Sequence, residues 1–374
     1  MQLQSVDIKL LTSLMNLSHA EYLVLVYSAF FVGCIVLSFL INRLFLKFLH
    51  TLGIRDPDKV IRWGASSKPA VGGFSFFIIF LLSIVCYSIF FDVNKVFLSR
   101  EFFGMLMACI LGFLLGLADD AYNTQPILKF NAQLTCGVLL MVSGLQVNVS
   151  SWMPLNYFLT IFWVVGIMNS LNMLDNMDAI ASSVAIMVIL GAITVMLLNQ
   201  DFSGIFMIIL IGMLGAILGF LFYNWHPSVI YMGDTGSQFL GVFLSAIGIK
   251  FFWQPHSVPS PELLDFRQFI IPILMFIVPI VDTTTVFINR IIRRQSPFVG
   301  GRDHTTHSLV YIGLTDQQVA FTVIGISLFS ILLVIIIEKI ISVWTPLYTF
   351  LFISYFLLVL GIMFSITFFK TKSE

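Results

Sequence analysis

Charge is what this sequence has least of. Charged residues make up only 10% of its 374 positions, and its 19 basic and 19 acidic side chains cancel to a net charge of zero. A soluble domain carries about 25% charged residues, so this composition excludes a soluble globular protein. The lack of a basic surplus also excludes the electrostatic footprint of a nucleic-acid-binding protein. Hydrophobic residues make up 59% of the chain and include 39 Phe, which predicts a polytopic membrane protein.

Cysteine is also scarce. The four cysteines lie in separate apolar runs, without the spacing of a disulfide framework or a metal cluster: Cys34, Cys86, Cys109 and Cys136. We expect them to act as small buried hydrophobic residues. Residues 1–20 also lack the basic start, apolar centre and small-residue cleavage site of a cleavable signal peptide.

Long apolar stretches fill most of the chain. They predict an all-α fold, a polytopic integral membrane protein of about eleven transmembrane helices. No internal repeat or low-complexity linker interrupts them, so residues 1–374 are predicted to form a single membrane domain. The predicted spans are 22–49, 73–91, 102–118, 131–148, 156–171, 180–199, 205–223, 236–252, 268–290, 317–341 and 345–369.

Lysine and arginine predict the orientation of these spans, because both residues are enriched in cytoplasmic loops. An N-terminus on the periplasmic (outer) side leaves six basic residues outside and puts the C-terminus in the cytoplasm. The thirteen basic residues that then lie on the cytoplasmic side are Arg43, Lys47, Arg55, Lys59, Arg62, Lys68, Lys129, Arg290, Arg293, Arg294, Arg302, Lys370 and Lys372.

The same topology collects the polar motifs on the cytoplasmic side. Asp119 and Asp120 directly follow an apolar run, and a carboxylate at bilayer depth is costly. We therefore expect the pair at the membrane surface, facing a cation. Five such polar clusters predict an active site built from cytoplasmic loops, and they lie at residues 68–73, 119–129, 169–178, 224–237 and 293–307.

Together these loops have the composition of a site for metal-assisted phosphoryl transfer. Several carboxylates with an asparagine oxygen suit Mg²⁺, which is usually held by one or two carboxylates and by substrate phosphates. Lysine, arginine and histidine nearby can neutralise phosphate charge. Asn172, Asp175 and Asp178 follow a spacing of three residues, so they would share one face of a helical turn.

Each cluster also has a structural interpretation when taken alone. The acids at 119–120 could end a solvated helix, and those in 169–178 could cap the helix that follows. His304 and His307 resemble half of a zinc site, but no thiolate accompanies them. Asp282, inside the ninth predicted span, could be either a satisfied intramembrane residue or a functional one.

At these motifs the sequence resembles the polyprenyl-phosphate N-acetylhexosamine-1-phosphate transferase family. The resemblance covers residues 50–310 and is carried, in family order, by KPAVGG, LGLADD, NSLNMLDNMD, YMGDTGSQFLG, PIVDTTTVFINRIIRR and SPFVGGRDHTTHSL. It implies Mg²⁺-dependent transfer, with Mn²⁺ as a possible substitute, of a sugar-1-phosphate from a UDP-N-acetylhexosamine to undecaprenyl phosphate. UMP is released in this reaction, which would be the first membrane step of a cell-envelope polysaccharide such as O-antigen, in the cell inner membrane. A homodimer is compatible with this.

The resemblance also implies roles for particular residues. The implied metal ligands are Asp234 and Asn172. The implied catalytic residues are Asp119, Asp120, Asp175 and His304, with Asp119 deprotonating or orienting the lipid phosphate for direct attack. The implied substrate-binding residues are Lys68, Lys129, Asp178, Arg302 and His307.

The chain departs from the family pattern in two motifs. Where the family has glycines in a DGxDG motif, this chain has Asn176 and Ala179. The histidine motif at 304–307 also lacks the three-histidine run of the peptidoglycan MurNAc-pentapeptide translocase, which favours the GlcNAc-1-phosphate branch. The translocase remains one alternative. An ion-coupled transporter is another, but its acids would lie within spans, often with inverted repeats.

Overall fold

A computed structural model describes residues 19–48, 68–90, 99–201, 204–253, 266–296 and 303–368. In these ranges the ordered elements are helices, and one isolated parallel bridge pairs Ala70 with Tyr231. The helices are α1 His19–Phe48, α2 Gly72–Phe90, α3 Arg100–Tyr122, α4 Pro126–Ser143, α5 Met153–Leu174, α6 Ile180–Leu198, α7 Ile205–Asn224, α8 Gly233–Phe251, α9 Arg267–Met275, α10 Ile277–Ile292, α11 Thr305–Tyr311, α12 Asp316–Lys339 and α13 Pro346–Ile366.

The all-α polytopic prediction is confirmed, and every predicted span has a helical counterpart. Within the described ranges, nine helices are long and apolar enough to cross a membrane, or ten if α9 and α10 form one broken span. The ninth predicted span is that broken one, with an 83° bend between α9 and α10. Pro279 in the first turn of α10 has no N–H to donate to the carbonyl of Met275, where α9 ends, so the helix cannot run on regularly there.

The central helix α8 accounts for the remaining predicted span. It packs against α2, α3, α5 and α6 and is buried from Thr235 to Ile249. Its polar residues are tolerated because protein, rather than lipid, surrounds them. Helix α3 runs antiparallel beside it, and Glu101 at the start of α3 pairs with Lys250 at the end of α8, with 2.6 Å between Oε2 and Nζ.

Glycines let three helices meet backbone to backbone around the first turn of α8. A Cβ on Gly116 of α3 would lie 2.1 Å from the carbonyl oxygen of Asp234, and one on Gly73 of α2 would lie 2.3 Å from the amide nitrogen of Gly236. Both distances are far inside van der Waals contact. The start of α8 is therefore fixed from two sides by close packing.

Candidate active site

The adjacent acids at the end of α3 have different partners. Asp119 Oδ1 accepts hydrogen bonds from the amide and the hydroxyl of Thr124 at 3.0 and 2.6 Å, and its Oδ2 accepts from Lys129 Nζ at 2.7 Å. Asn123, in the left-handed conformation at φ 50°, ends α3 and turns the chain toward α4. This turn brings Lys129, ten residues along the chain, back to Asp119.

Asp120 instead binds the start of α8. Its Oδ1 accepts from the amide of Asp234 at 3.1 Å, and its Oδ2 accepts from the amide and hydroxyl of Thr235 at 2.8 and 2.7 Å. The first helical amides have no partner within their own helix, so a carboxylate there both caps them and complements the helix dipole. Gly233 adopts φ +75°, and a Cβ there would come within 2.7 Å of Asp120 Oδ2. The structure therefore places Asp120 where it positions Asp234.

A charged layer extends from Asp119 to Asp234 across four helices. Lys129 Nζ also donates to Asn172 Oδ1 at 3.2 Å. Asn172 Nδ2 in turn donates to Asp234 Oδ1 at 2.5 Å and to Ser237 Oγ at 2.9 Å. Residues from α3, α4, α5 and α8 thus form one hydrogen-bonded network. It unites four residues that the sequence predicted for the site.

A second, neutral layer lies one helical turn deeper on α4, α5 and α8. Gln133 Nε2 donates to Asn169 Oδ1 at 3.2 Å and to Gln238 Oε1 at 3.1 Å, and Asn169 Nδ2 donates back to Gln133 Oε1 at 2.8 Å. Within the described ranges, the buried Nε2 of Gln238 has no hydrogen-bond partner. The motifs in the sequence did not predict this layer. Its signal was the spacing of four, three and four residues from Lys129, Asn172 and Asp234.

Asp178 and Lys68 lie together beside the loop that connects α7 to α8. Asp178 accepts from the hydroxyl and amide of Ser228 at 2.7 and 2.9 Å, and His226 Nδ1 lies 3.2 Å from its Oδ2. Lys68 Nζ lies 3.8 Å from the same carboxylate oxygen and 5.1 Å from the centroid of the Tyr231 ring. Both residues were predicted to bind substrate, and both also fix this loop.

His304 directly precedes α11 and is held by α10. Its Nδ1 lies 2.9 Å from Asp282 Oδ2, while Asp282 Oδ1 accepts from the amide and hydroxyl of Thr305 at 2.8 and 2.6 Å. Asp282 is 1% exposed and His304 4%. The predicted site residue therefore has an intramembrane acid as its partner. The sequence had left the role of that acid open.

The residue before His304 is held just as firmly. Arg290 Nε and Nη2 each donate to one oxygen of Asp303 at 2.7 Å. Burial raises the pKa of Asp303, but the hydrogen bonds and charge of Arg290 outweigh it and hold the pKa below its ordinary value. His307 lies one turn into α11, with its ring centroid 6.2 Å from that of His304. Arg302 lies outside the described residues.

The loop from α5 to α6 connects the hydrogen-bonded network around Asn172 with the start of α11. Asp175, predicted to be catalytic, is half-buried where α5 ends. Asn176 does not need the positive φ that its glycine counterpart would allow, and its Oδ1 accepts from the hydroxyl of Thr306 at 3.1 Å. Ala179 does take the left-handed conformation, at φ 64°, which costs a residue with a Cβ about 1–2 kcal/mol. At the two positions that depart from the family glycines, Asn176 thus makes a side-chain hydrogen bond and Ala179 has a strained backbone conformation.

The donor set fits a magnesium ion that the substrate helps to hold. The described residues contain no group of three His, Cys, Asp or Glu side chains that could enclose a metal. Mg²⁺, however, commonly takes few protein ligands and completes its shell with water and phosphate oxygens. Asp234 offers a carboxylate, and Asn172 an amide oxygen once its amide turns from the orientation with Nδ2 on Asp234. These two residues would hold the ion.

Acids, an amide and a lysine are thus joined at one end of a bundle of apolar helices. This combination defines a polytopic membrane enzyme, and the comparisons with known proteins agree. The model for glycosyl transferase family 4 matches residues 102–252. A probable undecaprenyl-phosphate N-acetylglucosaminyl 1-phosphate transferase of Bacillus subtilis is 30% identical over 292 residues, covering 75% of this chain and 76% of the relative. The chain belongs to glycosyl transferase family 4.

Two further relatives match shorter parts of the chain. A phospho-N-acetylmuramoyl-pentapeptide-transferase of Streptococcus agalactiae is 32% identical over 204 residues, 49% of this chain and 60% of the relative. A decaprenyl-phosphate N-acetylglucosaminephosphotransferase of Mycolicibacterium smegmatis is 26% identical over 237 residues, 58% of this chain and 56% of the relative. The relatives' names differ in sugar and in lipid chain length.

Proposed function

We propose that this protein transfers GlcNAc-1-phosphate from UDP-GlcNAc to undecaprenyl phosphate, with Mg²⁺ as cofactor and UMP as the second product. The observation that carries the proposal is the hydrogen-bonded network from Asp119 through Lys129 and Asn172 to Asp234. It joins two carboxylates, a lysine and an amide in one place, and in this proposal they serve as the proton acceptor, the phosphate-binding cation and the metal-binding pair. Phosphoryl transfer needs these groups and little covalent chemistry from the protein.

In this proposal the two ends of the network serve the two substrates. Asp119 accepts the proton of the lipid phosphate or orients it, and a lipid phosphate oxygen then bonds to the sugar-bearing phosphorus. The bond from that phosphorus to the oxygen of UMP breaks. Both oxygens of Asp119 already accept hydrogen bonds in the structure. Lys129 therefore breaks its contact with Asp119 as the substrates arrive and pairs with a phosphate group instead. Bound Mg²⁺ would neutralise the diphosphate oxygens at Asp234.

The GlcNAc donor is favoured over UDP-MurNAc-pentapeptide by two observations. The Bacillus subtilis relative, which this chain matches over 76% of the relative's length, is named for N-acetylglucosaminyl 1-phosphate transfer. The segment 304–307 reads His-Thr-Thr-His, without three adjacent histidines. We infer that the site lies at the cytoplasmic face of the inner membrane, where a nucleotide sugar is available, because lysine and arginine are enriched in the loops on its side.

The test is a transfer assay with purified protein, undecaprenyl phosphate and a panel of UDP-sugars. The expected result is UMP release and a lipid product of the mass of undecaprenyl diphosphate GlcNAc, lost with a chelator and restored by Mg²⁺. Asp234→Asn should abolish turnover and weaken the Mg²⁺ dependence, because a metal-ligand charge is lost. Asp119→Asn should lower kcat far more than nucleotide binding.

Glu101→Gln is the matched control, because it removes a carboxylate from the other end of α3. It should keep most of the activity. Wild-type protein that transfers nothing from any UDP-N-acetylhexosamine would refute the proposed reaction. Preference for UDP-MurNAc-pentapeptide would instead assign the protein to peptidoglycan synthesis and leave the reaction type intact.

A further inference from the structure

Asp282 is an acid in an apolar helix, and its two oxygens do different work. Oδ1 caps the start of α11 through the amide and hydroxyl of Thr305, whereas Oδ2 contacts the ring of His304. A carboxylate buried at this depth is costly unless hydrogen-bond partners satisfy both of its oxygens. Capping α11 needs only one of the two oxygens. The other is available for His304.

We propose that Asp282 is a positioning residue that fixes His304 in one tautomer. With the Nδ1 hydrogen donated to Asp282, Nε2 is left for a hydrogen bond with a substrate phosphate group. Among the described residues, only Asp282 hydrogen-bonds the His304 ring. The inference rests on the proposed phosphate-transfer function and adds a residue to it. Orientation of a histidine by a buried carboxylate is a general way to set its tautomer.

The backbone around His304 does not need Asp282 Oδ2 to stay in place. The bidentate Arg290–Asp303 pair holds the residue before it. On the other side, Thr306 donates to Asn176 at 3.1 Å. Loss of the contact between Asp282 and His304 should therefore act on the ring rather than on the loop.

The charged groups that face His304 leave Asp282 as the acceptor for its ring. On α10 they are Asp282 and Arg290, the latter neutralised by Asp303, and on α11 the nearest is the ring of His307. The α12 and α13 side chains that line the cavity beside Thr305 and Thr306 are apolar, namely Val323, Ile326, Val359 and Met363. Asp282 is thus the carboxylate in contact with the ring. Its Oδ2 is the acceptor that selects the tautomer with the hydrogen on Nδ1.

The experiment measures kcat for sugar-phosphate transfer in wild type, Asp282→Asn, His304→Gln and the double variant. Asp282→Asn should lower kcat at least about tenfold, because the ring loses the acceptor that fixes its tautomer. The effects should not add, because Asp282 acts through His304. Thr305→Val is the matched control: it removes a bond to Oδ1 but none to His304, and should keep a kcat near that of wild type.

Nitrogen-15 NMR of histidine-labelled wild-type protein gives a test that needs no folded Asp282 variant. The His304 signal, assigned by its absence in His304→Gln, should show the neutral-ring tautomer with its hydrogen on Nδ1. The opposite tautomer would overturn the proposal, as would an additive double variant or a Thr305→Val variant whose kcat falls as far as that of Asp282→Asn. Wild type without transferase activity would count against the proposed function, whereas active wild type with an unchanged kcat in Asp282→Asn counts against this inference alone.

Discussion

Asp120→Asn tests whether the second acid of the α3 pair serves the α8 helix rather than the substrate. The carboxylate accepts from two backbone amides and one hydroxyl, of Asp234 and Thr235. An asparagine keeps one acceptor oxygen and turns an NH₂ group toward a backbone N–H. At least one of the amides at the start of α8 then loses its partner.

The magnitude follows from these contacts. A hydrogen bond to a charged group contributes about 1.5–3 kcal/mol, and a negative charge at a helix N-terminus about 0.3–1 kcal/mol. We therefore expect Asp120→Asn to lower the stability by about 2–4 kcal/mol. Thr235→Val removes only the hydroxyl bond, and should lose about half as much.

The assay compares the thermal unfolding of both variants and Asp119→Asn in detergent with their transferase activity. Asp120→Asn should unfold at a clearly lower temperature than Asp119→Asn. Its activity should fall about a hundredfold, because a displacement of about 1 Å of Asp234 can cost that much. An Asp120→Asn variant as stable as wild type but as inactive as Asp119→Asn would refute the reasoning, since the carboxylate would then act on the substrate.

Three further predictions concern the loops around the site. Ala179→Gly should stabilise the protein by about 0.5–1 kcal/mol by relieving the left-handed alanine, whereas Ala181→Gly inside α6 should destabilise it by about 1 kcal/mol; equal unfolding temperatures would contradict the strain. The lowered pKa of Asp303 means that its pairing stabilises the fold fully above the ordinary value of 3.8 and less as the pH falls through the folded-state pKa. Wild type should therefore lose more stability than Asp303→Asn between pH 5 and 3, and the two should run parallel above pH 5. Lys129→Met should lower kcat and weaken nucleotide binding together, because Lys129 joins Asp119 to Asn172. A normal Michaelis constant for the donor, measured in the same assay, would show that Lys129 does not bind the donor's phosphates.

The convergence of the acidic motifs could be predicted from sequence because it depends on topology alone. Apolar runs give the spans, and spans alternate direction, so loops 119–129 and 169–178 had to lie at the same end of the bundle. The pairing of Asn172 with Asp234 followed from the family motifs. The orientation across the membrane and the roles of the site residues stay predictions.

The individual partners could not be predicted, because they depend on packing between distant helices. Nothing in the sequence joins Asp120 to the start of α8, 114 residues away. Gln133 and Gln238 look like isolated polar residues in apolar runs until α4, α5 and α8 come together. The role of Asp282 could not be assigned from the sequence for the same reason, since that role depends on where His304 lies.

The composition of α8 has a consequence for how the protein is made. This helix is not among those apolar enough to cross a bilayer unaided, and an ionised side chain inside a span opposes insertion by the translocation machinery. Asp234 and Gln238, which belong to the site, are part of the reason. Entry of α8 into the membrane must therefore rely on helices synthesised before it, with Asp120 and Glu101 of α3 already in place to receive its two ends. The composition of α8 thus favours an order of assembly in which this helix is inserted against a prepared partner.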